Sequence, residues 1–169
     1  MAERRTIVSG RVLRYSGTFN AKELYELIDQ WFEEQGFSDR DEIEHIEKIT
    51  KNKKEVEIFY QPTKKVSDYA KIELRLIITI SNLVRKVVEI NGRSVGANEG
   101  DLEITFDGFL TTDFENRSEN EPKHFLWRTV VDKFLKRNVS SEFETMISGN
   151  IQELYTHLRT YLEISKSQQ

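Results

Sequence analysis

Apolar side chains fall along this chain in two rhythms. In NAKELYELIDQWFEEQGF, Leu24, Leu27, Ile28, Trp31 and Phe32 recur at i, i+3, i+4, i+7 and i+8, which places them on one helical face and predicts a helix over 20–35. Asn20 can cap its start, with Glu23 completing a capping box, and Gly36 supplies a left-handed stop. Further on the period shortens to two. Val56, Ile58 and Tyr60 alternate in EVEIFYQ, and Ile72, Leu74, Leu76, Ile78 and Ile80 alternate in KIELRLIITI, with Lys71, Glu73, Arg75 and Thr79 on the opposite face. This is the pattern of a half-buried antiparallel sheet. In DLEITFDGFLTTDF the inner positions are Leu102, Ile104, Phe106, Gly108 and Leu110, so Gly108 leaves a gap on that face.

The remaining segments fit around these. RRTIVSGRVLRYSG is rich in β-formers and reads as a first strand with a bulge at Gly10. DEIEHIEKIT has Ile43, Ile46 and Ile49 three apart, yet its short length and the turn-like KNKK after it favour a strand. VRKVVEI runs into Asn91-Gly92, the strongest short hairpin signal, and NGRSVGANEG with Gly92, Gly96 and Gly100 reads as the hairpin connection. SSEFETMISGNIQELYTHLRTYLEI opens with a capping box of Ser141 and Glu144 and carries Phe143, Ile147, Ile151, Leu154, Leu158 and Leu162 at helical spacing. Gly149 inside it costs about 1 kcal/mol against Ala, which suggests a close packing contact or a kink.

Before that helix lies KHFLWRTVVDKFLKR, residues 123–137, whose pattern admits a core helix, a membrane-surface helix or a nucleic-acid arm. On a helical wheel Leu126, Trp127, Val130, Val131, Phe134 and Leu135 cover about half the circumference; Arg128, Asp132, Lys133 and Lys136 cover the other half, with Phe125 among them. Burying the six apolar side chains would contribute on the order of 9–18 kcal/mol before entropy. Five basic residues at an anionic membrane would contribute about 1 kcal/mol each. The comparison favours a core helix with a solvated basic face, balanced by Asp113, Glu115, Glu119 and Glu121 upstream.

The expected fold class is therefore α+β: an antiparallel sheet of about six strands, with one N-terminal helix and two C-terminal helices, or one bent helix, packed on one face. A single domain over 1–164 is expected, followed by a disordered tail at 165–169.

Composition narrows the chemistry more than the fold. The 169 residues include ten Phe, six Tyr and two Trp, ample for a core, and no Cys, which excludes disulfides, thiolate metal sites and a cysteine nucleophile. The lack of an N-terminal apolar leader or a long apolar run, together with the absence of Cys, suggests a cytoplasmic setting. A net charge of -4, from 25 Lys/Arg and 29 Asp/Glu, argues against a general nucleic-acid binder. His45, His124 and His157 are dispersed without ligand spacing, and no glycine-rich phosphate loop or nucleophile elbow occurs, so neither a metal nor a cofactor is implied. Carboxylate pairs such as Asp107 with Asp113, or Glu44 with Glu47, could act in acid–base work if buried together, but nothing in the sequence separates them from surface charges. QPTKKVSDYAK, with Lys64, Lys65 and Lys71 near Tyr60 and Tyr69, outlines a basic aromatic patch or a plain strand-to-strand loop.

In element order, a strand, a helix, a long antiparallel run and a C-terminal helix, the chain resembles the START-like helix-grip fold. That resemblance implies a curved sheet wrapped around a long helix with an apolar cavity between them. The run from DYAKIELRLIITI through FENR to DKF is also similar to small uncharacterised archaeal proteins, a likeness that brings no functional residues with it.

Two functions are expected from these features. The first is a non-catalytic interaction module using the basic helix face (Phe125, Arg128, Lys133 and Lys136) and a sheet edge, with a protein as the expected partner and a membrane surface as the second candidate. The second is a carrier of an apolar small molecule or lipid, lined by Leu76, Ile78, Ile104, Phe106, Gly108 and Phe134.

Overall fold

A computed structural model describes residues 3–38, 42–50, 53–68, 70–112 and 136–167. Of the sequence-predicted helix over 123–137, residues 123–135, with His124, Phe125, Arg128, Lys133 and Phe134, lie outside these residues, as do Tyr69 and Asp113. The architecture is α+β: an open, antiparallel, six-stranded sheet with two helices among the described residues. The elements are β1 (Glu3–Phe19), α1 (Ala21–Glu34), β2 (Glu42–Thr50), β3 (Lys53–Tyr60), β4 (Thr63–Lys65), β5 (Ala70–Ile90), β6 (Arg93–Thr112) and α2 (Lys136–Ser167). Strand order is β1-β6-β5-β3-β2, with the short β4 added beside β5.

The two-residue rhythm of the sequence becomes the inner face. Val56, Ile58, Ile72, Leu74, Leu76, Ile78, Ile80, Leu102, Ile104 and Phe106 are buried and join Leu24, Ile28, Trp31 and Phe32 of α1 and Ile147, Ile151, Leu154, Leu158 and Leu162 of α2 in one core. Gly108 is where α2 comes closest to the sheet. A Cβ there would overlap Ile147 Cγ2 and stand 2.9 Å from Ile151 Cδ1, so these two side chains fill the gap that the sequence leaves.

Gly10 does form a bulge. Its φ of 66° coincides with a register shift between Val8 and Arg11 on β1, and the displaced amide donates to Asp107 Oδ1 at 2.7 Å. Asn20 caps α1 in extended conformation, its side chain accepting from the amides of Lys22 and Glu23 at 3.1 and 3.3 Å. The capping box is closed differently from expectation. Tyr161 of α2, rather than Glu23, meets the Asn20 amide, at 3.4 Å, and the Tyr161 hydroxyl is also 3.0 Å from Glu23 Oε2.

Three expectations are corrected at α2. The helix is already established at Lys136, so Ser141 and Glu144 are interior rather than a capping box, and Glu144 instead pairs with Arg5 of β1. Gly149 marks no packing contact, since it faces open space. The helix also runs to Ser167, into the stretch expected to be a disordered tail, where the hydroxyls of Ser165 and Ser167 bond back to Tyr161 O and Ile164 O.

Candidate functional site

Local chemistry builds an unusual extension at one end of this sheet. Asn91 and Gly92 have φ of 50° and 74°, the left-handed pair required by a tight type I′ turn, and so Ile90 pairs directly with Arg93. A two-residue turn obliges the residues after it to pair with those before it. Residues 93–100 are therefore strand, not the loop that their glycines suggest. At Gly100 a Cβ would stand 2.9 Å from Ser81 O, so its absence admits the bulge at Ser81–Val84, where Asn82 has φ of 55°.

The result is a β5–β6 hairpin longer than the sheet it belongs to. β3 accompanies β5 only as far as the pair Lys54–Leu83, and β1 accompanies β6 only as far as Phe19–Asn98. From Val84 to Ala97 the hairpin is a two-stranded ribbon with no strand on either flank among the described residues. Strand alternation puts Val84, Lys86, Val88 and Ile90 with Arg93, Val95 and Ala97 on one face, and Arg85, Val87 and Glu89 with Ser94 and Gly96 on the other. Val84, Val87 and Val95 are 49%, 74% and 37% exposed. At the root of the ribbon Lys86 pairs with Glu99, and the Asn98 side chain accepts from the Ala21 amide at 3.2 Å, tying the base of the ribbon to the start of α1. Beside that root, in the row Ile49–Lys54–Leu83, lies the outer strand β2, whose Ile49 is 76% exposed. An isolated two-stranded hairpin is marginal in water, and one rich in valine offers both free backbone groups and apolar surface.

The sheet face opposite the helices carries charge that is already matched. Asp107 is buried and accepts from Arg75 Nη2 at 2.7 Å as well as from Gly10; Glu73 is buried with Arg4 against it and Gln61 Nε2 at 2.7 Å. The Arg4 and Arg75 guanidiniums lie 3.8 and 5.4 Å from the centre of the Phe109 ring. A shallow concavity of about 450 Å3 nearby is lined by Arg14, Ser16, Thr79, Ser81, Asp101 and Glu103. Its charges are paired too, Arg14 with Glu103 at 2.7 Å and Asp101 with Ser16 and Asn82, whose hydrogen bonds hold the Asp101 carboxyl below its ordinary pKa.

The residues singled out from sequence fall as follows. Leu76, Ile78, Ile104 and Phe106 are fully buried core, and Gly108 is covered by α2. Lys136 is the first residue of α2. Glu44 and Glu47 are three apart on β2 and so face opposite sides, and Glu47, held below the usual carboxylate range by Lys54 and His45, is occupied by those neighbours. In the basic aromatic stretch Tyr60 is core, the Lys64 ammonium donates to Gln35 O at 2.6 Å, and Lys65 pairs with Asp68 at 3.2 Å. Among the described residues no group of three or more His, Asp or Glu converges as a metal site. None of their helices is long and apolar enough to cross a membrane.

The sequence reading missed the ribbon as a surface. The available signal was Asn91-Gly92 itself, which forces VRKVVEI onto RSVGANE. No protein-family model, curated protein or solved structure matches this chain.

Proposed function

We propose that this chain is a non-catalytic interaction module that binds a protein through its β-ribbon and the adjoining sheet edge. The observation that carries the reading is the ribbon from Val84 to Ala97, exposed on both faces, flanked by no strand among the described residues and rich in valine. The matched charge on the opposite sheet face points the same way. Its buried carboxylates, Glu73 and Asp107, are each held by an arginine, so neither stands ready as a general base. Arg128, Lys133 and Lys136, read from sequence as one basic helix face, would add charged contacts that govern recognition more than stability. A carrier would need room between sheet and helix, and at Gly108 that room is taken by Ile147 and Ile151.

A photo-reactive residue at position 87, introduced in the native cells, tests the reading. Protein adducts should form there far more than from position 152, on the exposed side of α2. Adducts equal at the two positions, or none at position 87, would overturn it.

A further inference from the structure

The flank of β5 from Val84 to Ile90 has a charge pattern that a second copy of the same flank would complete. Arg85 and Glu89 lie on one face with Val87 midway between them. Four positions apart on a strand they are separated by about 13 Å, too far to meet within one chain. Across the hairpin Arg85 faces Asn98 and Glu89 faces Ser94, both neutral. Neither makes an ion pair with another described residue, whereas Lys86, on the opposite face, is matched by Glu99.

Resting on the interaction-module reading, we infer that the ribbon's partner is a second copy of this chain, paired antiparallel along the free β5 flank about a two-fold axis at Val87. In that register Arg85 stands opposite Glu89 of the second copy, Glu89 stands opposite its Arg85, and the two Val87 side chains meet on the axis. Two ion pairs then bracket an apolar contact, and the backbone groups beyond Lys54–Leu83 on this flank, which have no strand partner among the described residues, gain partners. Other registers do worse. Centring on residue 86 sets Lys86 against Lys86, and a parallel arrangement sets Arg85 beside Arg85. The β6 flank has no such self-complement, because centring it on Val95 places Arg93 against Ala97. The β5 contact is isologous and therefore closes at two copies.

The test uses the purified full chain in sedimentation velocity from about 1 to about 300 µM, a range suited to a small interface. Wild type should show a reversible monomer–dimer equilibrium. Arg85→Glu sets Glu against Glu, Glu89→Arg sets Arg against Arg, and each should weaken dimerisation at least about tenfold. An equimolar mixture of the two single variants should dimerise as wild type does, because each mixed pair regenerates both ion pairs. Circular dichroism should show the variants folded like wild type, since both positions are exposed. A wild type that stays monomeric throughout, association that continues past the dimer, variants that dimerise unimpaired, or a mixture that fails to recover would each overturn the pairing. If position 87 still forms adducts with other proteins while the purified chain is monomeric, self-pairing fails and the interaction-module reading stands. If it forms none, both fail.

Discussion

Single atoms decide several features of this molecule, and the Tyr161 hydroxyl is the clearest case. It has one proton, for which Asn20 O at 3.2 Å and Glu23 Oε2 at 3.0 Å compete, while its oxygen takes the capping-residue amide of Asn20. Half-burial and the neighbouring Glu23 carboxylate both disfavour the phenolate and push its pKa up to about 12 from 10.0. Because the folded pKa is raised, the stabilisation is complete below about pH 10, where the unfolded chain would begin to ionise, and is lost as pH rises towards 12. The stability difference between wild type and Tyr161→Phe, from denaturant melts, should accordingly narrow between about pH 10 and about pH 12. A difference constant over that range would show that the hydroxyl is not held neutral. This tie between α1 and α2 was not legible beforehand, since the partners are 138 and 141 residues apart and pattern gives only local neighbours. What could be read was local: Asn20 as a cap and Gly36, with φ of 75°, as the stop.

At the scale of elements, periodicity located α1, β3 and the inner face of β5 and β6, because burial on one side writes a rhythm that needs no knowledge of the neighbour. It was less able to say where an element ends. The turn-like punctuation of Gly96 and Gly100 suggested a loop, yet both are strand residues, one of them making room for a bulge in β5. Gly149 likewise suggested a contact that the helix does not make. Its Cα faces open solvent, so the residue contributes only its backbone freedom to the unfolded chain and nothing to packing. Gly149→Ala should therefore stabilise the protein by about 1 kcal/mol, raising the urea midpoint with the slope unchanged. A loss of stability instead would restore the contact or kink that the sequence suggested.

Over the whole molecule β5 belongs to two environments, and the division falls at the Asn82 bulge. From Ile72 to Ile80 its inner side chains are fully buried beneath the helices, and its backbone pairs with β6 on one side and with β3 or β4 on the other. From Val84 to Ile90 the same strand pairs with β6 alone among the described residues. Hydrophobic alternation could reveal the first half, because a core on one face enforces it. The second half has valines on both faces, a pattern that names no side as inner and so gave no hint of what lies against it. Local opening should follow this division, since few buried contacts oppose it in the ribbon. In hydrogen exchange at concentrations low enough to keep the chain monomeric, amides of Arg85–Glu89 should exchange at least about a hundredfold faster than those of Ile72–Ile80, which open only with the whole domain. Raising the protein concentration should slow the first set and leave the second unchanged, because pairing adds partners only to the free flank. Uniform protection along β5 at low concentration would mean that the chain itself covers the ribbon, leaving no surface there for a partner.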